Sequence, residues 1–232
     1  VDPPVGGEIN LLPTRTKEEL AHRISAIIED FTNKGFEPTT TCMQGGHVHV
    51  RIPALRDDIA SLKKVLGWVQ QNQSTVPEAL HGYSADIRMK RVKGASVKMR
   101  NPGRLMPDWM IDNILSRSTD FASFLTYHCK GIDGVKSYRP KRYTINLYNL
   151  KHTNTIEFRG PRATLSHKVL GDTFSFIEEC LIAALGSGES ASSILQRTNY
   201  LFEPFSFNPY HYEAWVNTQK ERGEKVRKSY EL

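Results

Sequence analysis

The sequence predicts an α+β fold in which helices cover one face of a sheet. Segments 45–51, 142–147 and 155–159 alternate polar and apolar residues with the period of two that a strand imposes. Several longer segments instead repeat apolar residues every three or four positions, between recognisable helix start and stop signals. The second and third strand segments are separated by Lys151, His152, Thr153 and Asn154, a hairpin-like spacing.

In chain order, VDPPVGGEINLLP is a loop entering a short strand around Glu8 to Leu12, closed by Pro13. A helix follows, with Thr16 as N-cap and Glu19 as its box partner. Leu20, Ile24, Ile27, Ile28 and Phe31 form its apolar stripe, and Gly35 is its stop. GGHVHVR is the next strand, and LRDDIASLKKVLGWVQQN a second helix with Ile59, Leu62, Val65, Leu66 and Val69 on one face. From Ser74 to Pro107 the chain is basic, rich in Gly and Pro and weakly periodic, which predicts a mostly irregular stretch placed as a lid over a site. A third helical region runs from about Asp108 to Lys130, followed by the strands RYTINLYNL and NTIEFRG. The clearest helix is SHKVLGDTFSFIEECLIAALGSG, capped by Ser166 and ended by Gly186 to Gly188. Residues 189–232 form a C-terminal helical extension, and without a Gly/Ser-rich or Pro-rich linker the whole of 1–232 is expected to be one domain.

Composition bounds the function without choosing it. With 232 residues, 39% hydrophobic and 24% charged, the chain can bury a substantial core and lacks the signature of disorder. A net charge of +6 suits a polyanion, yet a compact phosphate-bearing substrate also draws basic residues. Much of the excess lies in Lys90, Arg91, Lys93, Lys98, Arg100 and Arg104, and in a tail from Lys220 to Lys228 that reads as a solvated helix of mixed charge. Cys42, Cys129 and Cys180 are odd in number and widely spaced, against a disulfide framework or a thiolate zinc site, which fits a reducing, cytoplasmic setting. No apolar run approaches a membrane span, so no membrane partner is expected.

The strand faces carry the chemistry. Alternation puts His47, His49 and Arg51 on one side of the first strand, Arg142, Thr144 and Asn146 on one side of the second, and Thr155, Glu157 and Arg159 on one side of the third. Gathered on one sheet, they offer guanidinium forks for phosphate, a hard carboxylate for a divalent cation, and imidazoles as donors or ligands. A different use is a transition metal held by His47, His49 and Glu157, as in cupin-like oxygenases or amidohydrolases that also use HxH on a strand. Against it, His81, His128, His152 and His167 fall in loops or helices and give no third histidine. His22 is expected on a helix surface, His211 in an aromatic-rich structural setting, and Trp68, Trp109 and Trp215 in the core or in helix packing.

The ordered set GGEINLLP, GGHVHV and RYTINLYNLKHTNTIEFRGPRATLSHKV, followed by a long apolar helix, resembles the amidoligase family. These are relatives of glutamate-cysteine ligases and glutamine synthetases, often carried by phages and bacteria. The resemblance covers roughly residues 5 to 185, and its specific part is the pairing of GxHxH with R-Y-x-x-N-L and T-x-E-F-R. It implies a curved antiparallel sheet, shaped as a funnel with helices on its outer face, that binds ATP and Mg2+ and joins a small-molecule or peptide carboxylate to an amine. By the same resemblance Glu157 and Glu8 are metal ligands, and Arg159 steadies the transferred phosphoryl group. His47 or His49 lies near the ATP phosphates and the acidic substrate, Arg142 binds phosphate or substrate carboxylate, and Arg51 and Asn146 line the nucleotide site.

Two departures qualify that expectation. Members begin with a strand bearing an E-x-E type motif, and nothing before Glu8 supplies it, so the chain is expected to be part of a longer protein or to have lost part of its metal site. NLLP also stands where a Ser-Pro pair is common, which loosens the register of Glu8. Two other function classes follow: a catalytically inactive, amidoligase-like structural or binding module in a larger assembly, and a nucleic-acid binder using the basic 88–104 stretch and the tail. The tidy alternation of His, Arg and Glu has no purpose in the last, which ranks lowest.

Overall fold

The computed structural model describes residues 11–35, 46–81, 89–92, 95–98, 105–129, 143–161, 164, 166–198 and 200. Among them the architecture is α+β, with seven α-helices and a small, open antiparallel sheet of three strands. Helix α1 (Lys17–Asn33) begins where Thr16 accepts from the Glu19 backbone N–H, and Gly35, at φ 80°, follows its end in the left-handed region that glycine tolerates. Its apolar stripe is only half-buried or exposed; Ala21 alone is fully buried.

Strand β1 (Val48–Arg51) is followed by a 3-10 turn (Pro53–Arg56) and by α2 (Ile59–Asn72), which Asp58 caps by accepting from the Ala60 and Ser61 N–H groups. Leu62, Val65, Leu66 and Val69 are buried as the period predicts. The stretch expected to be irregular is more ordered than its composition implies. It holds α3 (Thr75–His81) and a separate antiparallel hairpin, β2 (Met89–Val92) with β3 (Ala95–Lys98), divided by Lys93 and Gly94. The third helical region also divides, into α4 (Asp108–Arg117) and α5 (Phe121–Cys129). Ser118 is extended between them, and Asp120 accepts from the Ser123 N–H and so caps a new helix.

Strand β4 is shorter than RYTINLYNL predicts. It covers Ile145–Asn146 and gives way to a 3-10 turn at Tyr148–Lys151. The side-chain carbonyl of Asn146 accepts from the Tyr148 N–H at 2.8 Å, a local bond that competes with continued strand. Strand β5 (Thr155–Phe158) then returns to pair with both others, in the order β1-β5-β4. Helix α6 (His167–Leu185) starts from Ser166 as expected, and α7 (Ala191–Thr198) is the part of the C-terminal extension within the described residues.

A single apolar cluster joins the helices to one face of the sheet: Leu66 of α2, Ile114 of α4, Phe176 and Cys180 of α6, and Ile145, Ile156 and Phe158 of the strands. Cys180 is free, and burial pushes its thiol pKa up. Trp68 packs in this core and donates to the Glu189 carbonyl at 2.8 Å. Trp109 does not; it is exposed, one position away from the inward stripe of Met110, Ile111 and Ile114. No helix among the described residues is long and apolar enough to cross a membrane.

Buried amides hold the helix ends together. Gln73 donates to the Met106 carbonyl and accepts from the Met106 N–H, so one side chain imitates a rung of sheet. Asn72 donates to the Trp68 carbonyl at 2.9 Å and accepts from the Ala191 N–H at 2.7 Å, satisfying a donor at the start of α7. Asn72→Ala therefore leaves a buried N–H without its acceptor. We expect a loss of about 1–3 kcal/mol, read as a lower urea midpoint at unchanged slope.

Candidate functional site

The strand register assembles one polar face. His49 stands opposite Glu157 across β1 and β5, and Glu157 opposite Asn146 across β5 and β4, so the three form a row on one side of the sheet. His47 and Arg51 lie two positions either side of His49, and Thr155 and Arg159 two either side of Glu157. Pairing continues beyond the strands, through Gly46 N–H to the Pro161 carbonyl at 2.9 Å and Arg159 N–H to the Thr144 carbonyl at 2.8 Å, which holds His47 and Arg159 in this alternation. Val48, Val50, Ile156 and Phe158 alternate to the opposite side and pack in or against the core.

Glu157 is the centre. Its side chain is 5% exposed, and both carboxylate oxygens accept bonds. Oε1 accepts from Arg159 at 2.6 Å and from His47 Nδ1 at 3.0 Å. Oε2 accepts from the Asn146 amide at 2.6 Å and the Asn149 amide at 2.9 Å. Burial pushes the Glu157 pKa up, but the His47 hydrogen bond, the Arg159 charge and the Asn146 amide outweigh it and hold the carboxyl at about 2. Glu157 is thus an anion at any ordinary pH.

Above this carboxylate lies a more open layer of nitrogen-bearing side chains. Side-chain exposure rises from Arg159 at 26% to His47 at 32% and His49 at 43%. His49 Nδ1 lies 3.3 Å from Thr155 Oγ1, which is 2.7 Å from Thr153 Oγ1, while its Nε2 is 4.0 Å from Glu157 Oε1, too far for a hydrogen bond. Arg51 is exposed at the far end of β1, opposite Thr155. Chemically, the Arg159 guanidinium is the group of this layer that can receive an oxygen anion, with its balancing charge, Glu157, beneath it.

His47, His49, Asn146, Glu157 and Arg159 therefore meet at one place, with Arg51 at its edge. Glu8 and Arg142 lie outside the described residues, as do Cys42, His211, Trp215, the tail and residues 199 and 201–232 of the helical extension. Of the basic 88–104 stretch, only the backbone at 89–92 and 95–98 is described. His22 is exposed on α1 as expected, and His152 and His167 are exposed too. Asn149 is the residue that alternation misses, because it reaches Glu157 from the 3-10 turn and not from a strand. The available signal is the spacing of Asn146 and Asn149, one helical turn apart.

The described donor set does not fit a magnesium ion on Glu157. Each carboxylate oxygen offers about two lone-pair directions, and here each already receives two donors. Among the described residues no group of three or more His, Cys, Asp or Glu is placed to hold a metal ion. An anionic carboxylate can only accept, so His47 Nδ1 carries a proton toward Glu157 and is no ligand in this arrangement. Compared with protein-family models, curated proteins and solved structures, the chain matches none.

Proposed function

We propose that this chain is an ATP-dependent carboxylate-amine ligase with the sheet-and-helix architecture of the glutamine synthetase and glutamate-cysteine ligase catalytic domains. A carboxylate resists attack by an amine because its oxygen leaves poorly. Transfer of the terminal phosphoryl of ATP makes an acyl phosphate, from which the amine displaces phosphate. Such transfer is governed by positioning and by stabilisation of spreading negative charge. The observation that carries the proposal is the convergence of Arg159, His47 and His49 over one buried anion on a single strand face. Arg159 is suited to grip a phosphoryl oxygen by its fork, and Arg51 to extend the cationic rim toward the nucleotide or the acid.

ATP is the activating cofactor of this reading and Mg2+ its companion cation, though Glu157 as described does not fit as that cation's ligand. The acid and amine are small molecules or peptides and the setting is the cytoplasm; a nucleic-acid partner ranks below these, and no membrane partner is expected. A second reading, a catalytically inactive ligase-like module, is favoured by one observation: among the described residues Glu157 is the one carboxylate on this face, and it is saturated with donors.

Hydroxylamine distinguishes the two readings, because it converts an acyl phosphate to a hydroxamate. Incubation of the full chain with ATP, Mg2+, hydroxylamine and a panel of amino acids and acidic peptides is expected to give ADP and hydroxamate in equal amounts. Arg159→Lys, which keeps the charge and loses the fork, should be slower by about a hundredfold or more. ATP binding without hydroxamate from any acid would favour the inactive module; neither binding nor turnover would remove the ligase reading.

A further inference from the structure

We infer that Glu157 is a buried counter-charge and not a ligand group: Asn146 and Asn149 clamp one carboxylate oxygen, which turns the other to receive the His47 Nδ1–H and to hold Arg159 toward an oxyanion. In this arrangement Asn149 is a positioning residue. The inference does not rest on the ligase reading, since it concerns how the chain's own groups are ordered before any substrate arrives.

The geometry is specific. Asn146 is fully buried, and its side-chain oxygen is committed to the Tyr148 N–H at 2.8 Å, so its amide nitrogen must be the group that faces Glu157 at 2.6 Å. Asn149 sits one helical turn further on, in the 3-10 segment that this same bond starts, and adds a second amide at 2.9 Å. Four donors on two oxygens fix the plane of the carboxylate. Arg159 uses one N–H of its five on Oε1 and keeps a quarter of its side chain exposed, while His47 gives its Nδ1–H to the same oxygen. A cation at Glu157 has to displace an amide or the guanidinium, whereas an oxyanion approaching from solvent meets the remaining N–H groups of Arg159. Phosphate and carboxylate share the chemistry such a layer receives.

Nuclear magnetic resonance on the full chain, with histidine and arginine labelled by 15N, tests this without ATP. In wild type at alkaline pH, His47 is expected as the Nδ1–H tautomer. Inorganic phosphate should shift the Arg159 guanidinium signals with a chelator present, and acetate in a parallel titration separates phosphate from carboxylate. If either anion acts, the oxyanion class stands; if neither does, it falls. Mn2+ added without nucleotide is expected to leave the His47 ring signals sharp. Asn149→Ala should mix the tautomers and weaken anion binding tenfold or more, a change that loss of packing in a folded protein does not produce. If that variant does not fold, the wild-type tautomer and Mn2+ results decide alone. An Nε2–H tautomer in wild type, or selective broadening of His47 by Mn2+ that Glu157→Gln abolishes, would overturn the inference.

Discussion

Arg159→Ala is expected to cost on the order of 3 kcal/mol of stability and to abolish anion binding, because it removes one partner of a nearly buried ion pair. Glu157 is 5% exposed and Arg159 26%, so the stranded carboxylate cannot recover its lost partner from bulk water alone. The remaining His47, Asn146 and Asn149 contacts keep the loss from being larger. Stability and binding separate in the double variant Glu157→Gln/Arg159→Met. Removing both charges takes away the stranded anion, so the urea midpoint should return most of the way, while anion binding stays absent. Equal destabilisation in the single and double variants would show that Arg159 acts by packing.

Acid should destabilise the protein well before Glu157 titrates, through His128. This residue of α5 is 0% exposed, its ring stacked on Phe124 at 5.5 Å, and burial pushes its pKa down from 6.5 to about 4. Below 6.5 the unfolded chain binds a proton that the folded chain refuses until about 4, so the contribution is full above 6.5 and is lost progressively as pH falls toward 4. The complete loss is on the order of 3 kcal/mol. The Glu157 contribution has a different window: with its pKa lowered from 4.5 to about 2, it is full above 4.5 and is lost as pH falls through about 2. Urea midpoints between pH 7.5 and 5 should therefore fall in wild type and stay nearly flat in His128→Phe. A parallel decline in both proteins would assign the effect elsewhere. Helix α5 packs on the Tyr148–Lys151 turn that carries Asn149, so this acid sensitivity lies next to the site.

The strand face was legible because alternation is a strict geometric rule. Once HVHVR, TIN and TIEFR are strands of one sheet, His49, Glu157 and Asn146 must share a side, and the register shows that they do. The caps at Thr16 and Ser166 were equally plain, since a hydroxyl before an apolar period has few other uses. What alternation could not show was side-chain bonding that redirects the backbone. Asn146 ends its strand by accepting from Tyr148, and Asp120 with Ser123 starts a helix inside what periodicity joins into one. Asn149 was missed for that reason, and so was the saturation of Glu157. The curved, ligase-like architecture and the roles implied for Glu8 and Arg142 depend on resemblance, and both residues lie outside those described.

In the proposed ligase this strand face receives the phosphates of a nucleotide through Arg159. Calorimetric titration of the full chain with a non-hydrolysable ATP analogue, with and without Mg2+, beside Arg159→Lys, tests it most directly. Saturable binding in wild type, weakened at least tenfold in the variant, is the predicted result. Equal affinity in the two proteins, or no binding to wild type under either condition, would contradict it.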